Sequence, residues 1–563
     1  MIENNPNYFS HSFLSFFRPC ATSQNGPRLA ISTIPLEIIE YRKMTLASRI
    51  LFLSLALMKL CACSDILMIT LGGTKSHKIP FWELAGGLVN RGHNITFLNA
   101  FPADFVMPGL EEITPTNLVF FVRNFTNWDL VGARMRNELP VHPLDMIRYG
   151  YKSCEETLQD HETNDMLHIH KSFDLIILDG AFPECGLGFV KHYNAPFMYI
   201  NTVAMYTGSL SLAGNPNPYS ITPFLATSFT DNMKLHQRIT NAVWYLAGNM
   251  LHAVMTKLMI QGILSKKFGY DMPPIYKMSS NVSFILQNSH PAVTYSKAYL
   301  PNVAEIACIH CKDPKPLPPE LEDFVNGSGD AGFIYFSMGS SVKAFNMPEY
   351  FRRMLIRVFR QLPQRVLWKW EGEDMEDLPD NVKLGRWLPQ QDLLGHPKIK
   401  AFVTHGGLLS MFETVYHGVP IVTLPVFCDH DANSAKSEAD GYAIKLDLAT
   451  INVESLLWAI KRIIHDPKYR IEVLRRQKVF RDQKETPLER AVFWTEYVLR
   501  NRGASYLQSP SRFLSASEYY MWDVALLSLL LTFLLYYSFL KPAFYGISRR
   551  ICSIHSAKEE KVD

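Results

Sequence analysis

Residues 402–430 read FVTHGGLLSMFETVYHGVPIVTLPVFCDH, and this stretch decides the fold. Its first residues complete an apolar run, 399–404, that is typical of a buried strand, and residues 408–416 have the length and composition of a helix. A His-Gly-Gly turn separates the two. A second apolar run, 421–427, predicts the next strand. Strand, glycine turn, helix and strand form a βαβ unit, which predicts an α/β fold with a parallel sheet.

The turn before this helix has the features of a phosphate-binding site. Gly406 and Gly407 stand at the helix entrance, where free backbone N–H groups and the positive end of the helix dipole favour an anion. His405, Ser410 and Glu413 add a nitrogen donor, a hydroxyl and a carboxylate. These groups can meet a diphosphate and the diol of a ribose.

Two polar residues, Asp429 and His430, follow the second strand. They are therefore expected at the carboxyl edge of a parallel sheet, which is where open α/β folds bind their ligands. A nucleotide with a further group attached fits this arrangement better than bare phosphate does.

The whole segment resembles the signature of the UDP-glycosyltransferases, the family of UDP-glucuronosyl- and UDP-glucosyltransferases. Its length, its fixed positions and its prolines, Pro420 and Pro425, make the resemblance more specific than a glycine motif alone. The sequence Gly-Gly-Leu-Leu-Ser at 406–410 is most similar to that of invertebrate members of the family. The family usually ends this signature with Asp-Gln, whereas this chain has Asp429-His430.

The resemblance covers roughly residues 65–540 and implies the GT-B fold, in which two Rossmann-like domains face a cleft. We expect an N-terminal acceptor-binding domain at 65–311 and a proline-rich linker at 312–325. A C-terminal domain that binds the UDP-sugar and carries the return helices should occupy 326–518, with a C-terminal transmembrane helix after it.

Two side chains in the N-terminal half are candidates for catalysis. His77 follows the strand 65–71, so we place it on the loop before a helix at 79–91, and Asp179 follows the strand 173–178. Both belong to the carboxyl edge of the sheet, where an aspartate can orient a histidine and stabilise its protonated form. By position alone His77 could be structural and Asp179 a helix N-cap. In the resembling family these positions hold the catalytic base and its partner.

The C-terminal half offers further contacts for UDP. Ser337, Gly339 and Ser340 form a turn of small residues whose backbone N–H groups suit a phosphate, as they do in the family. Trp387 lies on a proline-containing turn and can stack on a flat base, while Gln390 can bond the edge of the base. An isolated Trp-x-Pro also occurs in core packing. In the resembling family this tryptophan faces uracil.

The resemblance implies an inverting transfer of a hexose from a UDP-sugar to a hydroxyl of a small lipophilic acceptor, without a metal ion or other cofactor. His77 would remove the acceptor proton, Asp179 would stabilise the imidazolium, and the helix entrance at Gly407 would stabilise the leaving UDP. Asp429 and His430 would bind the sugar hydroxyls. Among donor sugars we expect glucose first, because the signature resembles that of invertebrate members. Galactose comes second, and glucuronate third because no extra cation is evident beside the site.

Two other interpretations remain open. Asp429-His430-Asp431 is formally the D-x-D motif of metal-dependent glycosyltransferases, which bind manganese on a single-domain fold. The second Rossmann-like half argues against that class. The chain could also be a membrane-anchored binder of lipophilic ligands that kept the fold and lost activity, although His77 and Asp179 are both present.

Both ends of the chain carry membrane-protein signals. Residues 1–43 are an extension or precede the true start at Met44, and residues 44–64 have the pattern of a signal peptide, with a buried core helix as the alternative. Residues 519–540 predict a transmembrane segment, and the basic tail at 541–563 should be cytoplasmic. This predicts a single-pass type I protein of the endoplasmic reticulum membrane with lumenal catalytic domains.

Composition excludes several classes of protein. The chain has 563 residues, a net charge of +3 and nine cysteines, which excludes a disulfide scaffold and gives no case for nucleic-acid binding. We expect a disulfide between Cys154 and Cys185 and no redox or zinc function for Cys308 and Cys311. The chain could form a homo-oligomer.

The sequence contains four N-glycosylation sequons. Those at Asn124, Asn281 and Asn326 fit lumenal loops, whereas Asn94 falls in a predicted core strand and is expected to stay unmodified.

Overall fold

The computed structural model describes residues 63–559, except for residues 170, 204–207, 226, 344–345 and 373–374. The predicted extension at 1–43 and nearly all of the predicted signal peptide at 44–64 lie outside the described residues.

Two parallel β-sheets form the centre of the protein. The strands are β1 (Asp65–Thr70), β2 (Asn94–Asn99), β3 (Leu110–Ile113), β4 (Leu175–Asp179), β5 (Phe197–Asn201), β6 (Phe284–Gln287), β7 (Val303–Glu305), β8 (Phe333–Ser337), β9 (Arg365–Lys369), β10 (Val382–Gly385), β11 (Ile399–Thr404), β12 (Ile421–Thr423) and β13 (Ala443–Lys445). The first sheet has the order β3-β2-β1-β4-β5-β6-β7 and the second has β10-β9-β8-β11-β12-β13.

Helices cover both sheets. They are α1 (Lys75–Val89), α2 (Thr116–Phe125), α3 (Leu130–Met135), α4 (Pro143–Gln159), α5 (His161–His168), α6 (Gly186–Tyr193), α7 (Gly208–Leu212), α8 (Leu235–Val254), α9 (Gln261–Phe268), α10 (Ile275–Ser279), α11 (Pro319–Asn326), α12 (Glu349–Phe359), α13 (Gln390–Leu394), α14 (Leu408–His417), α15 (His430–Ala439), α16 (Val453–His465), α17 (Pro467–Arg481), α18 (Pro487–Arg500), α19 (Ala516–Tyr519), α20 (Trp522–Leu535) and α21 (Lys541–Glu559). A π-helical segment, Met255–Ile260, joins α8 to α9.

The sheet topology places the candidate site. In each sheet the strand order reverses once, between β1 and β4 in the first and between β8 and β11 in the second. Parallel sheets bind ligands in the crevice that opens at the carboxyl ends of the strands where the order reverses. The prediction of two parallel sheets of Rossmann type is confirmed.

The strands read as unbroken apolar runs because both faces of each sheet are covered. In the first sheet Leu67 and Ile176 join the hydrophobic cluster on one face, whereas their neighbours Ile66 and Ile177 join the cluster on the other. All four side chains are fully buried. Each contributes about 1.5–3 kcal/mol of burial free energy, which makes the strands that carry the site rigid.

The first helix begins earlier than the sequence predicted. We expected a helix at 79–91 with His77 on the preceding loop, but α1 begins at Lys75, so His77 lies in its first turn. Pro80 stays inside this helix. Pro80 is the sixth residue of this helix, where it has no N–H to donate to the carbonyl of Ser76, so the helix continues with one backbone hydrogen bond fewer.

The strand β12 is shorter than the apolar run 421–427 that predicted it, because it ends at Thr423. Pro425 has no N–H for the ladder, and the chain leaves the sheet there. Residues 424–429 then form a loop, which places Asp429 and the following residue, His430, at the sheet edge. The predicted linker 312–325 is also partly helical, since α11 begins at Pro319.

The last long helix before the C-terminal segment returns to the first sheet, as the resemblance implies. Trp494 of α18 stacks on Phe284 of β6 with ring centroids 4.5 Å apart. The Arg490 guanidinium donates to the carbonyl of Glu305 at 2.8 Å. This helix therefore ties the end of the second half to the first half.

Two disulfides are present among the described residues. Cys154 and Cys185 are bonded, with Cα atoms 5.6 Å apart, which confirms the predicted pair. Cys308 and Cys311 form a second disulfide, which the sequence analysis did not predict.

The C-terminal segment contains a helix that is long and apolar enough to cross a membrane. It runs over Trp522–Ser553, and none of its most apolar window is buried against the rest of the protein. The predicted apolar segment at 519–540 lies mainly in this helix, and the predicted tail at 541–563 begins within it.

Candidate active site

Three side chains form a hydrogen-bonded network at the carboxyl edge of the first sheet. His77 Nδ1 lies 3.4 Å from Asp179 Oδ2 and 2.7 Å from Thr202 Oγ1. The Thr202 hydroxyl donates to Asp179 Oδ1 at 3.1 Å. If the hydroxyl proton goes to Asp179, Thr202 accepts the proton of His77 Nδ1. That tautomer leaves Nε2 of His77 as the proton acceptor.

Asp179 is held ionised although only 3% of its surface is exposed. Burial opposes the charged carboxylate. The hydrogen bond and charge of His77, the charge of Lys78 and the backbone N–H of Ala181 outweigh burial and keep the pKa of Asp179 below its usual value. A carboxylate that stays charged can stabilise an imidazolium at His77.

Thr202 and Lys78 were missed by the sequence analysis. Thr202 follows β5 at the same sheet edge as Asp179, so the rule that located Asp179 could have found it. Lys78 is fully buried, and its ammonium donates to the carbonyl of Gly72. Burial lowers the pKa of Lys78 to about 8, and the charge of Asp179 acts in the opposite direction.

His405 lies between two glycines at the edge of the second sheet. A Cβ on Gly339 would lie 2.3 Å from the His405 ring, and one on Gly407 would lie 2.5 Å from its Nε2. Gly339 also has a φ of +75°, which favours glycine. Only glycine fits at either position, so the predicted phosphate turns at 337–340 and 405–407 meet around this one imidazole.

Burial makes His405 neutral. Its desolvation, with smaller contributions from His430 and Lys369, holds the pKa of His405 well below its usual value. A neutral imidazole donates from one nitrogen and accepts at the other. Lys369, which the sequence analysis did not select, ends β9 and donates to the carbonyl of Gly339 at 2.8 Å. Its ammonium also pairs with Glu371, so a lysine–glutamate pair stands at the same turn.

The predicted sugar-binding pair stands at the first turn of α15. His430 packs edge-on against His405 with ring centroids 4.4 Å apart. Burial lowers the pKa of His430, against the charges of Asp429 and Asp431 that raise it. Asp429 Oδ2 accepts from the Asn433 side chain at 2.9 Å. Asn433 also donates to the carbonyl of Gly406 at 3.0 Å and so links the sugar pair to the glycine turn.

The predicted ribose and base residues form a second cluster. The Gln390 amide donates to Ser410 Oγ at 2.9 Å and also to Glu413. His310 Nε2 lies 3.2 Å from Glu413 Oε1, and both side chains are more than 90% buried. Trp387 is 73% exposed, so the alternative that it packs in the core is wrong.

Two cations stand beside the sugar-binding pair, which corrects the expectation that none is evident there. Arg134 Nη2 lies 3.0 Å from Asp431 Oδ1, and Lys445 Nζ lies 3.0 Å from the same oxygen. Ser228 Oγ donates to it at 3.3 Å. Asp431 is therefore shared by cations from the first and second halves of the chain. Within the described residues no group of His, Cys, Asp and Glu is arranged to hold a metal ion.

Two of the three sequons expected in loops lie in helices. Asn124, Asn281 and Asn326 are all exposed, but Asn124 lies in α2 and Asn326 is the last residue of α11, so of the three Asn281 alone stands in a loop. Asn94 is also exposed, because it is the first residue of β2, and its amide donates to Asp65 Oδ1 at 3.2 Å. Asn94 therefore lies in a core strand, as predicted, but at the exposed first position of that strand.

Comparison with known proteins gives one family. The model of the family described as "UDP-glucoronosyl and UDP-glucosyl transferase" matches residues 116–556. UDP-glucosyltransferase 2 of Dactylopius coccus is 33% identical over 526 residues, which cover 89% of this chain and 98% of that protein. UDP-glucuronosyltransferase 2B17 of Homo sapiens is 32% identical over 466 residues, covering 80% of this chain and 87% of that protein.

Solved structures show the same fold. A UDP-glucosyltransferase from Polygonum tinctorium superimposes with a TM-score of 0.53 at 14% identity, covering 78% of this chain and 99% of that one. The glycotransferase of kitacinnamycin superimposes with a TM-score of 0.52 at 18% identity, covering 77% and 98%. These likenesses establish the two-domain GT-B fold.

Proposed function

The chain belongs to the UDP-glycosyltransferase family and is a UDP-glycosyltransferase, and we propose that it transfers a hexose to a hydroxyl of a small lipophilic acceptor. The proposed reaction inverts the anomeric carbon and uses no metal ion. The observation that carries the proposal is the network of His77, Thr202 and Asp179 at the edge of the first sheet.

His77 is the proposed general base. With Nδ1 held by Thr202, its Nε2 can accept the proton of the acceptor hydroxyl as that oxygen attacks the anomeric carbon. The bond from the anomeric carbon to the UDP oxygen breaks in the same step. Asp179 stabilises the imidazolium that forms, because its carboxylate stays ionised.

The C-terminal half, which is proposed to bind the UDP-sugar, would stabilise the leaving UDP. Neutral His405, the N–H groups at the entrance of α14 and the Lys369 ammonium converge where negative charge would develop. Glu413 and Ser410 would bind the ribose, and exposed Trp387 would cover the uracil. Preformed donors can replace a divalent ion in this role, so we expect activity in EDTA.

Glucose is the first proposed donor sugar. The relative from Dactylopius coccus, which covers 89% of this chain, is named as a glucosyltransferase, whereas the human relative is named as a glucuronosyltransferase. Arg134 and Lys445 are both engaged by Asp431, which supports glucose over a sugar carboxylate at this edge. Galactose is the second choice and glucuronate the third.

We propose that the catalytic halves are lumenal in the endoplasmic reticulum and that the helix Trp522–Ser553 anchors them. Two disulfides support an oxidising compartment. The exposure of Asn124, Asn281 and Asn326 supports their glycosylation there.

The test measures UDP release by microsomes that contain the full chain. UDP-glucose, UDP-galactose and UDP-glucuronate are each supplied with a panel of phenols and lipophilic alcohols, with and without EDTA. We expect release with one sugar, and we expect His77→Ala to lower kcat by about 100-fold or more, since a general base contributes about that factor.

The matched control is His161→Ala. His161 is 85% exposed on α5 and pairs with Asp165, not with the network, so its loss should leave UDP release unchanged. Equal activity of His77→Ala and His161→Ala would refute His77 as the base. Complete loss in EDTA would refute the metal-independent mechanism.

A further inference from the structure

A cavity lies beside the loop that packs against His77. Its lining includes Gly72, and the next residue, Gly73, approaches His77 so closely that a Cβ there would lie 2.7 Å from the imidazole ring. Tyr149, also in the lining, donates its hydroxyl proton to the carbonyl of Gly73 at 3.2 Å. The cavity therefore borders the proposed general base.

Most of the cavity wall is apolar. A wall of this kind suits the hydrocarbon part of a lipophilic acceptor, because the apolar surface of the acceptor is removed from water there. The apolar part of the lining consists of Leu71, Phe182, Met255, Ile260 and the disulfide Cys154–Cys185.

One charged side chain interrupts this apolar wall. Glu184 lines the cavity although its side chain is only 8% exposed. Its Oε1 accepts from His252 Nε2 at 2.5 Å. Among the residues that the structure describes, no donor lies within hydrogen-bond distance of the other carboxylate oxygen, Oε2. A carboxylate oxygen that has lost its water without gaining a donor is costly, so Glu184 can accept a further hydrogen bond from a ligand.

The surrounding elements fix Glu184 in the cavity wall. The next residue, Cys185, is bonded to Cys154 of α4, and α6 begins directly after it at Gly186. His252 belongs to α8, so the carboxylate is also held from that helix. Because α4, α6 and α8 together position this side chain, it is preorganised before any ligand binds, which makes a contact with it selective.

The charge of the Glu184–His252 pair limits what Oε2 can bind. Burial opposes a charge on His252, but the hydrogen bond and the charge of Glu184 outweigh burial and raise the pKa of His252 above its usual value. An imidazolium beside the carboxylate leaves the pair with little net charge. An ammonium group in the cavity would be attracted by Glu184 and repelled by His252, whereas a neutral hydroxyl needs only the oxygen Oε2.

We propose that Glu184 selects acceptors that carry a second hydroxyl. This hydroxyl donates to Glu184 Oε2, while the hydrocarbon part of the acceptor occupies the apolar cavity and the reacting hydroxyl faces His77. The inference rests on the proposed function, because it takes the cavity beside His77 as part of the acceptor site. It narrows the acceptor class from lipophilic alcohols and phenols to lipophilic diols whose hydroxyls are separated by the hydrocarbon skeleton.

The test compares diols with their own monomethyl ethers. Microsomes that contain the full chain receive hydroquinone, 2,6-dihydroxynaphthalene or 4,4′-dihydroxybiphenyl, which place the two hydroxyls at increasing separations, or the monomethyl ether of each. UDP release is measured with UDP-glucose, UDP-galactose and UDP-glucuronate in separate series. Each ether keeps one reactive phenol and the second oxygen but lacks the second O–H, so the ratio of kcat/KM for diol and ether reports the donated hydrogen bond. Phenol, 2-naphthol and 4-phenylphenol control for the size of the added methyl group.

We expect the diol to be favoured about tenfold or more over both analogues at one or more of the separations, since a hydrogen bond to a buried charged group discriminates by at least about that factor. Glu184→Gln should lower the ratio of diol to ether to about threefold or less. In that variant the amide oxygen accepts from His252 and leaves an N–H in the cavity, which binds an ether oxygen as well as a hydroxyl. The matched control is Glu155→Gln on α4, since Glu155 pairs with Lys152 and does not line the cavity, so the ratio should not change.

The two equivalent phenols make a diol about twofold faster than its ether by statistics alone. A ratio of about two at every separation, with UDP still released, overturns the inference and leaves the transferase intact. A ratio that survives Glu184→Gln assigns the selection to another group and also overturns the inference. No UDP release with any pair of sugar and acceptor removes the proposed function itself. The ratio in the unaltered protein requires no substitution, so it tests the inference even where a variant fails to fold.

Discussion

At the scale of single residues, Thr202 decides which nitrogen of His77 is free. Its hydroxyl stands between His77 Nδ1 at 2.7 Å and Asp179 Oδ1 at 3.1 Å, whereas the direct contact between His77 and Asp179 is longer, at 3.4 Å. Because the Thr202 hydroxyl donates to Asp179, it accepts the proton of His77 Nδ1 and so fixes the tautomer of the imidazole ring.

Thr202→Val keeps the shape of the side chain and removes this hydroxyl. We expect kcat to fall about 10- to 100-fold, because the base loses its orientation, with the KM for the UDP-sugar nearly unchanged. Steady-state kinetics check this, and Thr202→Ser should restore most of the rate. A valine variant with normal kcat would show that Asp179 alone orients His77.

Lys78 gives a prediction about pH. Because burial lowers its pKa to about 8, the unfolded chain binds more protons than the folded chain between pH 8 and the unfolded value of about 10.4. Lys78 therefore lowers the free energy of unfolding below pH 8. This destabilisation diminishes as the pH rises from 8 to about 10.4.

Lys78→Met should consequently raise the free energy of unfolding by about 1–3 kcal/mol at pH 7, and the gain should shrink towards pH 10. The same variant should lose activity, since Asp179 loses a nearby cation. Denaturant unfolding of the full chain in detergent at several pH values checks this. Lys191→Met, at a partly exposed lysine that pairs with Asp271, is the control and should show no such pH dependence. A destabilised Lys78→Met at pH 7 would contradict the prediction.

At the scale of elements, local sequence patterns located most strands. The predicted run 399–404 coincides with β11, and the run 65–71 coincides with β1 to within one residue, because a continuous apolar run between turns has few alternatives in a parallel sheet. The start of α1 was predicted four residues too late, because the polar residues 74–78 that precede the predicted helix carry no apolar pattern. The glycine turns at 339 and 407 were selected for phosphate, but their shared contact with His405 depends on two loops meeting, which the sequence does not encode locally.

The turn closed by Cys308 and Cys311 supports the ribose site. It carries His310, whose Nε2 lies 3.2 Å from Glu413 Oε1, and its carbonyl at His310 accepts from the Gln391 side chain at 3.1 Å. The turn is therefore held against both α13 and α14, the helices that present Gln390 and Glu413.

His310→Ala should raise the KM for the UDP-sugar about tenfold and change kcat by less than about threefold, because it removes the buried imidazole that packs 3.2 Å from Glu413 and leaves space beside that carboxylate. The double change Cys308→Ser, Cys311→Ser should shift KM in the same direction. His396→Ala is the control, since His396 pairs with Glu322 elsewhere in the second half. An unchanged KM in both test variants would show that this turn has no part in donor binding.

At the scale of the whole molecule, contacts across the cleft could not be predicted from the sequence. Arg134 and Asp431 are separated by 297 positions, and nothing near either residue marks the other. The small helix α3 that carries Arg134 also sends Leu130 and Val131 into the hydrophobic cluster of the second half. The first half thus reaches across the cleft to the helix that begins with His430.

This cross-cleft contact should hold the two halves in the geometry that brings base and donor together. Arg134→Ala removes the cation from the first half, while Lys445 still pairs with Asp431, so the fold should survive. We expect kcat/KM for the UDP-sugar to fall about 5- to 30-fold, which corresponds to about 1–2 kcal/mol of lost coupling. We also expect faster proteolysis in the segment 312–325 between the sheets.

The matched control is Arg136→Ala, two residues away on the same segment. Arg136 pairs with Asp129 and Glu138, both on the same segment, and is 52% exposed, so its loss should change neither kinetics nor proteolysis. Surface pairs of that kind contribute little. Equal behaviour of the two variants would mean that the halves are positioned by α18 and the chain connection alone. A selective loss in Arg134→Ala would instead make the Asp431 contact a determinant of catalytic alignment, one that acts at the first turn of the helix carrying the proposed sugar-binding histidine.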